Sequence, residues 1–215
     1  IKNMKTQHQV LSIFPTPLYI NSLPEDLLKD HISFLNQEEI LYSKNEGYGK
    51  HSKNTYLLNQ DHYKNLNSYI LQHATYYAEN YLSYNYINYK FSQSWISVKD
   101  PEQQHEQHTH SHSLISGVLF YEENDTETSS ITFSRLDEYS RHISSHKNKP
   151  INSLNDFSFT SYDVYYKPNT LILFPSVLPH SVKKNTTPFS RKSLAFNIVP
   201  KDGFGIEGSL CELKF

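Results

Sequence analysis

Residues 89–121 read YKFSQSWISVKDPEQQHEQHTHSHSLISGVLFY, and this stretch indicates the fold of the C-terminal half of the chain. It contains two short runs, 91–98 and 114–121, which are rich in aromatic and β-branched residues and separated by polar ones, a pattern typical of strands. The pattern recurs downstream, in the runs 130–134, 157–166, 171–174 and 190–199. Many short strands favour a sandwich or barrel, because closure leaves few bare sheet edges. We therefore predict a mainly β fold with a jelly-roll-like core.

Two amphipathic helices are predicted upstream of this core. Apolar residues recur at three- and four-residue steps over about 24–36 and again over about 62–83. Because each helix has one apolar side, we expect both helices to pack against the outside of the β core.

The length of 215 residues favours a single domain. We expect an N-terminal strand and helices over about 1–88, the β core over about 89–200 and a C-terminal tail over 201–215. Residues 135–156 are polar and irregular, and they are predicted to form an insertion loop between core strands. Loops of that length often act as lids.

The composition excludes several classes of partner and of site. Lys and Arg total 20 against 22 Asp and Glu, so no charge excess favours nucleic acid or an acidic lipid surface. The single Cys211 rules out an intrachain disulfide and a cysteine-bound zinc, and it fits a reducing compartment. No apolar stretch reaches the ~20 residues of a membrane span, and the polar start lacks the apolar region of a secretory signal. We expect a cytoplasmic protein with no membrane partner, and the sequence leaves a homodimer open.

Four of the twelve histidines lie in one short segment, at His105, His108, His110 and His112. On a strand, residues two apart point to the same side, so His108 and His110 are predicted to aim their imidazoles at one point. A third histidine, His180, lies just past the apolar run 170–175. Neutral imidazole is a common ligand for transition metals, and these three histidines are candidate ligands of one ion. The alternative is a solvated polar loop.

Arg191 and Ser193 form a second candidate pair, eleven and thirteen residues after His180. They lie two apart in the strand-like run 190–199, so their side chains share one face. An arginine fork beside a hydroxyl suits a carboxylate, because the guanidinium offers two parallel charge-assisted hydrogen bonds. The alternative for Arg191 is an ordinary charge on the surface of a strand.

These residues together resemble the iron(II)/2-oxoglutarate-dependent oxygenases, and more narrowly a small family of such oxygenases with His-x-His shortly before a Ser-Gly-Val-Tyr-Tyr-like strand. The resemblance covers most of the chain. The elements that carry it are Phe14-Pro15-Thr16-Pro17-Leu18, Ser94-Trp95-Ile96, His108-Thr109-His110, Ser116-Gly117-Val118-Leu119-Phe120-Tyr121, Phe174-Pro175-Ser176 with His180, and Arg191-Lys192-Ser193 with Phe196-Asn197.

The resemblance implies a double-stranded β-helix, the jelly-roll core that cupins share, with flanking N-terminal α-helices. It implies that His108, His110 and His180 hold Fe(II), and that Arg191 and Ser193 bind the distal carboxylate of the co-substrate 2-oxoglutarate. Such an enzyme uses O2 to hydroxylate its substrate and releases succinate and CO2. The sequence does not identify the substrate, which is expected to be a small molecule or a protein side chain.

The chain departs from the wider superfamily at His110, where an acidic residue usually completes the ligand set. Two other functions stay open. A cupin-type metal dioxygenase or isomerase shares the barrel, but cupins usually place Glu a few residues after His-x-His, and here Ser-His-Ser-Leu-Ile follows. A non-catalytic metal-binding or ligand-binding β module is the other alternative. The flanking His105 and His112 are interpreted as residues without a catalytic role, and the neighbouring aromatic residues as core; these are Trp95, Phe120 and Tyr121.

Overall fold

The structure, a computed structural model, describes residues 11–12, 14–42, 49–84, 88–122, 130–135 and 159–215. Two helices lie in the N-terminal half, α1 (Glu25–Gln37) and α2 (Lys64–Tyr77). The strands are β1 (Tyr19–Ser22), β2 (Ile40–Tyr42), β3 (Lys50–Ser52), β4 (Tyr89–Lys99), β5 (His105–His108), β6 (Ile115–Phe120), β7 (Ser130–Ser134), β8 (Ser161–Tyr165), β9 (Thr170–Pro175), β10 (His180–Val182) and β11 (Arg191–Pro200).

The described strands form two antiparallel sheets. The larger sheet has the order β1-β9-β6-β11-β4-β3-β2, and the smaller has the order β5-β10-β7-β8. From β4 onward, consecutive strands alternate between the two sheets, except that β7 and β8 are neighbours in the smaller sheet, and this is the pattern of a double-stranded β-helix. The predicted mainly β jelly-roll core with flanking N-terminal helices is therefore confirmed.

Period-two alternation on the larger sheet decides which residues face the helices and which face the smaller sheet. On β11, Leu194, Phe196 and Ile198 are fully buried in the core on the helix side. The intervening Ser193 and Ala195 face the other way, into the space between the sheets. Arg191 lies on this second face as well, because it is two residues from Ser193 on the same strand.

Two apolar cores hold these layers together. The core on the helix side joins both helices to the larger sheet, and it includes fully buried side chains from α2, β4 and β6; among them are Leu66, Ile70, Ile96 and Leu119. A smaller core fills part of the space between the sheets; it includes Val118, Ile131, Phe133, Ile172 and Phe174. This second core supports the candidate site.

Several elements differ from the sequence-based expectation. The predicted helix over 62–83 begins with a 3-10 turn at Asp61–Tyr63 and ends in a wider π turn at Ala78–Leu82. Strands β5 and β10 were not predicted, because four residues reading HEQH and three reading HSV carry no apolar alternation. The expected insertion loop lies outside the described residues except at its first position.

The division into an N-terminal part, a β core and a tail stays a prediction. Neither α1 nor α2 has the length and hydropathy that a membrane-crossing helix requires, and the remaining described helical turns do not have them either.

Candidate active site

His108 and His180 meet across the smaller sheet. His108 is the last residue of β5 and His180 is the first of β10, and the two residues are direct antiparallel partners. Their ring centroids lie 4.3 Å apart. The Phe174 ring packs edge-on against His180 at 4.6 Å, so one wall of this pair is apolar.

His110 reaches the same point by a different route from the one predicted. Strand β5 ends at His108, so His110 lies in the following loop and the expected same-strand geometry is wrong. Its backbone N–H donates to the Ser176 carbonyl at 2.9 Å, which ties this loop to the end of β9. The ligand nitrogens of His108, His110 and His180 all lie within 4.8 Å of one another. The structure thus brings the three predicted histidines together.

The Nδ1 atom of each imidazole is hydrogen-bonded to an oxygen atom. His108 Nδ1 lies 2.8 Å from the Glu106 carbonyl, and His180 Nδ1 lies 3.0 Å from the Leu178 carbonyl. His110 Nδ1 lies 2.6 Å from Asn197 Oδ1. Because these oxygens are acceptors, the hydrogen-bond network assigns the proton to each Nδ1 and leaves each Nε2 with a free lone pair.

This arrangement fits a divalent transition metal. His110 Nε2 is buried and has no hydrogen-bond partner among the described residues, which is costly unless an electrophile binds it. Metal–imidazole bonds of ~2.1 Å place two ligand nitrogens ~3 Å apart in adjacent octahedral positions and at most ~4.2 Å apart in opposite ones, so the rings must move closer together to share one ion. Metal-binding histidines commonly donate their other N–H to a carbonyl or carboxylate, as all three do here.

Burial keeps the imidazoles uncharged. Desolvation lowers the pKa of His180 to about 3 and that of His110 to about 4, and it also lowers the pKa of His108. A positive charge on one ring would also disfavour protonation of the others. The three histidines are therefore neutral at physiological pH, which is the form that binds a metal.

Asn197 and Ser116 support His110, and the sequence analysis gave them no role. Asn197 Oδ1 accepts from His110 Nδ1 and also from Ser116 Oγ at 2.8 Å, while Ser176 Oγ lies 2.9 Å from Ser116 Oγ. Ser116 and Ser176 are fully buried. The sequence did contain a signal for Asn197. It is a polar residue on β11 that alternates with the apolar residues Phe196 and Ile198, so period two predicts that it faces away from the helix-side core.

Arg191 and Ser193 line the same cavity as the three histidines. They lie at the start of β11, and Arg191 Nη2 donates to the Lys183 carbonyl at 2.8 Å. Directly opposite them on β4 are Lys99 and Ser97, in the pairs Arg191–Lys99 and Ser193–Ser97. Two cationic residues are therefore paired across the two strands, and two hydroxyl residues are paired two positions further along.

Lys99 was missed by the sequence analysis. Its side chain is buried, with 5% of the residue exposed, and its Nζ donates to Ser97 Oγ at 2.9 Å. Burial and the neighbouring Arg191 charge lower its pKa to about 8. The signal was present in the period of β4, where Trp95, Ser97 and Lys99 share a face.

The other residues singled out from the sequence divide into two groups. Trp95 lies 6.0 Å from His110 in a stacked arrangement and Phe120 lines the cavity, so both contribute to the site and are not simply core. Tyr121 is buried in the helix-side core, as expected. His105 stacks on His108 at 4.1 Å, whereas His112 is exposed.

A second, more open cavity of about 270 Å³ adjoins the site. Four residues line both cavities and separate them; these are Trp95, Ser97, Lys99 and His105. Polar side chains form much of its remaining wall; these are Lys50, His51, Thr55 and Gln93.

Comparison with known proteins shows which family the site resembles. Residues 93–197 match the profile of a family described as "Putative 2OG-Fe(II) oxygenase". This segment, just under half of the chain, is similar to that family. The match runs from the middle of β4 to Asn197 and includes the three histidines, Arg191 and Ser193. The family description names Fe(II) and 2-oxoglutarate, and it supports an enzyme with the cofactors expected from the sequence.

Several solved structures share the fold. The epimerase SnoN from nogalamycin biosynthesis superposes with a TM-score of 0.64 at 11% identity, over 91% of this chain and 83% of its own. A Pseudomonas putida prolyl-4-hydroxylase gives 0.57 at 12% identity, over 85% and 92%. HygX from Streptomyces hygroscopicus, solved with nickel, 2-oxoglutarate and hygromycin B, gives 0.60 at 12% identity, over 87% and 84%. No curated protein sequence matches the chain.

Proposed function

We propose that the protein is an Fe(II)- and 2-oxoglutarate-dependent dioxygenase that hydroxylates a substrate bound in the cavity beside the histidines. One observation carries the proposal: three Nε2 lone pairs converge at one end of a cavity whose other end holds Arg191 and Ser193. A 2-oxo dicarboxylic acid needs both features, a metal for its oxo-acid end and a cation for its distal carboxylate.

In this proposal each polar residue has a separate task. His108, His110 and His180 hold the iron through Nε2, and Arg191 with Ser193 binds the distal carboxylate. When bound, iron supplies the redox chemistry by which the substrate, 2-oxoglutarate and O2 become hydroxylated substrate, succinate and CO2. Phe174 and Phe120 keep the cavity apolar where no hydrogen bond is needed, which limits the access of water.

The missing acidic ligand has a charge consequence. Three neutral imidazoles leave both positive charges of the iron uncompensated by the protein, whereas the usual carboxylate would offset one. The dianionic co-substrate supplies that compensation. We therefore expect iron and 2-oxoglutarate to bind with positive cooperativity, each one strengthening the binding of the other.

The adjoining cavity is the proposed substrate site. Its volume of about 270 Å³ is on the scale of a small-molecule pocket, and its wall shares Trp95 and His105 with the metal cavity. Hygromycin B in the HygX structure and the nogalamycin pathway of SnoN are small-molecule cases, whereas prolyl hydroxylation acts on a side chain. The polar wall suits either a small polar molecule or an exposed protein side chain.

The test is succinate release from 2-oxoglutarate by protein loaded anaerobically with Fe(II) and then exposed to O2, with candidate substrates added. We expect slow succinate formation without substrate, faster formation with a true substrate, and ¹⁸O from ¹⁸O2 in the product. His180→Ala should abolish it, and His112→Ala, which changes an exposed histidine of the same segment, should not. Absence of metal binding and of 2-oxoglutarate binding in the wild type would contradict the proposal.

The same assay separates the alternatives. A cupin-type dioxygenase would consume O2 and substrate without 2-oxoglutarate. A binding module would hold 2-oxoglutarate without turnover. An isomerised or oxidised product without ¹⁸O would keep the 2-oxoglutarate chemistry but exclude hydroxylation, in line with the epimerase and carbocyclase among the solved structures.

A further inference from the structure

Lys99 is held inside the candidate site by its place in the larger sheet. It is the last residue of β4, and its side chain lies on the same face as Ser97 and Trp95. Gly49, near β3, leaves room for it: a Cβ there would lie 2.9 Å from both Cδ and Nζ of Lys99. Gly49 has a φ of 80°, a backbone conformation that favours glycine. A Cβ at Gly49 would also lie 2.4 Å from the Val98 carbonyl oxygen, so the absence of a side chain there lets both the backbone and the Lys99 side chain pack closely.

The end of the cavity that contains Arg191 and Ser193, which is called the carboxylate end below, is rich in positive charge. The cationic side chains among its described lining residues are Lys99, Arg191 and Lys192, and the described lining contains no Asp or Glu. Lys192 pairs with Glu122 at 3.3 Å, so its charge is balanced. Lys99 and Arg191 are direct partners across β4 and β11, so two cationic side chains line the same part of the cavity, where the anionic end of a ligand would be favourable.

We propose that Lys99 is a second carboxylate-binding residue, which holds the distal carboxylate of the 2-oxo acid from β4 while Arg191 holds it from β11. The inference rests on the proposed function. Ser97 then positions the Lys99 ammonium through the 2.9 Å hydrogen bond, as Ser193 stands beside Arg191 in the same register. The pKa of about 8 leaves Lys99 mainly protonated at neutral pH, and a bound carboxylate would favour its charged form further.

The consequence is selectivity for dicarboxylic 2-oxo acids. The test is isothermal titration of Ni(II)-loaded protein, which does not turn over, with 2-oxoglutarate and with 2-oxopentanoate, where a methyl group replaces the distal carboxylate. We expect Lys99→Met to weaken 2-oxoglutarate binding about tenfold or more, and to change 2-oxopentanoate binding less than about twofold. Lys90→Met is the matched control, because it removes a lysine from the same strand that lies over the Phe215 ring, away from the cavity.

Nickel content is measured first for every variant, so that a folding defect is recognised. If Met is not tolerated, Lys99→Gln and Lys99→Arg carry the test: Gln should lose 2-oxoglutarate affinity as Met does, and Arg should keep most of it. Unchanged 2-oxoglutarate affinity in Lys99→Met or Lys99→Gln would overturn the inference and assign Lys99 to an anion in the adjoining cavity. A wild type that binds no 2-oxoglutarate would instead contradict the proposed function.

Discussion

The cavity has two ends: the metal end holds His108, His110 and His180, and the carboxylate end holds Lys99, Arg191 and Ser193. Each is named for the ligand that we propose it binds. The two ends differ in charge, in the strands that supply their residues and in how their polar atoms are held. At the metal end, two of the three histidines come from the short strands β5 and β10 of the smaller sheet, and the third comes from a loop. At the carboxylate end, Lys99 and Arg191 both come from the larger sheet, on the long ladder that β4 and β11 form. The first end is neutral without metal, and the second is cationic.

This difference teaches how each end is fixed. Sheet register alone sets the pairs Arg191–Lys99 and Ser193–Ser97, because opposed residues of an antiparallel ladder share a face. The histidines cannot rely on register, since only His108 and His180 are strand partners. Their ring orientations depend on hydrogen bonds from Nδ1, and the bond of His110 is to a side chain, so a substitution behind this ring should affect the metal end more than the carboxylate end.

The largest effect is expected from removing a ligand. His180→Ala should weaken Fe(II) or Ni(II) binding on the order of 10³-fold, because it removes one of three nitrogen donors. His112→Ala should leave the affinity unchanged. Metal titration followed by elemental analysis measures both. Equal metal content in His180→Ala and the wild type would remove His180 from the ligand set and end the distinction between the two ends.

Arg191→Met should act on the other end alone. We expect the dissociation constant for 2-oxoglutarate to rise about 100-fold, roughly 3 kcal/mol, because the distal carboxylate would lose its bidentate partner in a desolvated place. Metal binding in the absence of 2-oxoglutarate should not change. Arg191→Lys should restore part of the affinity, since an ammonium lacks the fork. Loss of metal instead of co-substrate affinity would show that the two ends are not separate.

The sequence could predict the shared strand face of Arg191 and Ser193 better than the geometry of the histidines, for a physical reason. Period two on a strong apolar strand such as β11 assigns each residue to a face, and that placed Arg191 and Ser193 correctly relative to each other. The same rule gave the wrong geometry for His108 and His110, because β5 ends at His108 and His110 lies in the following loop. The histidines were identified by residue type and density, not by geometry.

Other parts of the site could not be predicted because they depend on contacts between distant segments. Asn197 contacts His110 across 87 positions of sequence, and no local pattern encodes that pair. Lys99 lies opposite Arg191 only because the register of β4 and β11 is set by the whole ladder. A lysine in an amphipathic strand is more often on the surface, so only the structure assigns it to the interior.

The pH dependence of stability should come from the metal end. The folded-state pKa of His180 is about 3, below the usual value of 6.5, so the unfolded state binds more protons between these values and metal-free protein loses stability as pH falls below about 6.5. At about pH 5 this single buried histidine should lower the free energy of unfolding by up to about 2 kcal/mol relative to neutral pH.

Urea unfolding of chelator-treated protein at the two pH values measures this loss. His180→Ala should show a shallower decline, because it lacks the group that gains a proton on unfolding, whereas Arg191→Met should decline as the wild type does. Identical slopes for the wild type and His180→Ala would mean that the histidine is not buried in its neutral form. The carboxylate end would then contribute more than the metal end to the pH dependence of stability.

The smallest effect concerns the residue that links the ends. Asn197 lies on β11 with Arg191, but its Oδ1 accepts the Nδ1–H of His110 at 2.6 Å. Asn197→Ala should weaken metal binding about tenfold, because the ring loses the contact that fixes its tautomer and orientation. Asn197→Asp should preserve the affinity or raise it, since a carboxylate is a stronger acceptor for the same N–H.

Ser116→Ala provides the control for Asn197, because it removes a donor to the same Oδ1 without touching the imidazole. We expect a change smaller than that of Asn197→Ala, with 2-oxoglutarate affinity measured in metal-saturated protein unaffected in both variants. If Asn197→Ala bound metal as the wild type does, the loop bond from His110 to the Ser176 carbonyl would suffice to orient the ring. The metal end would then be fixed by backbone contacts alone, because the Nδ1 atoms of His108 and His180 already bond to carbonyls.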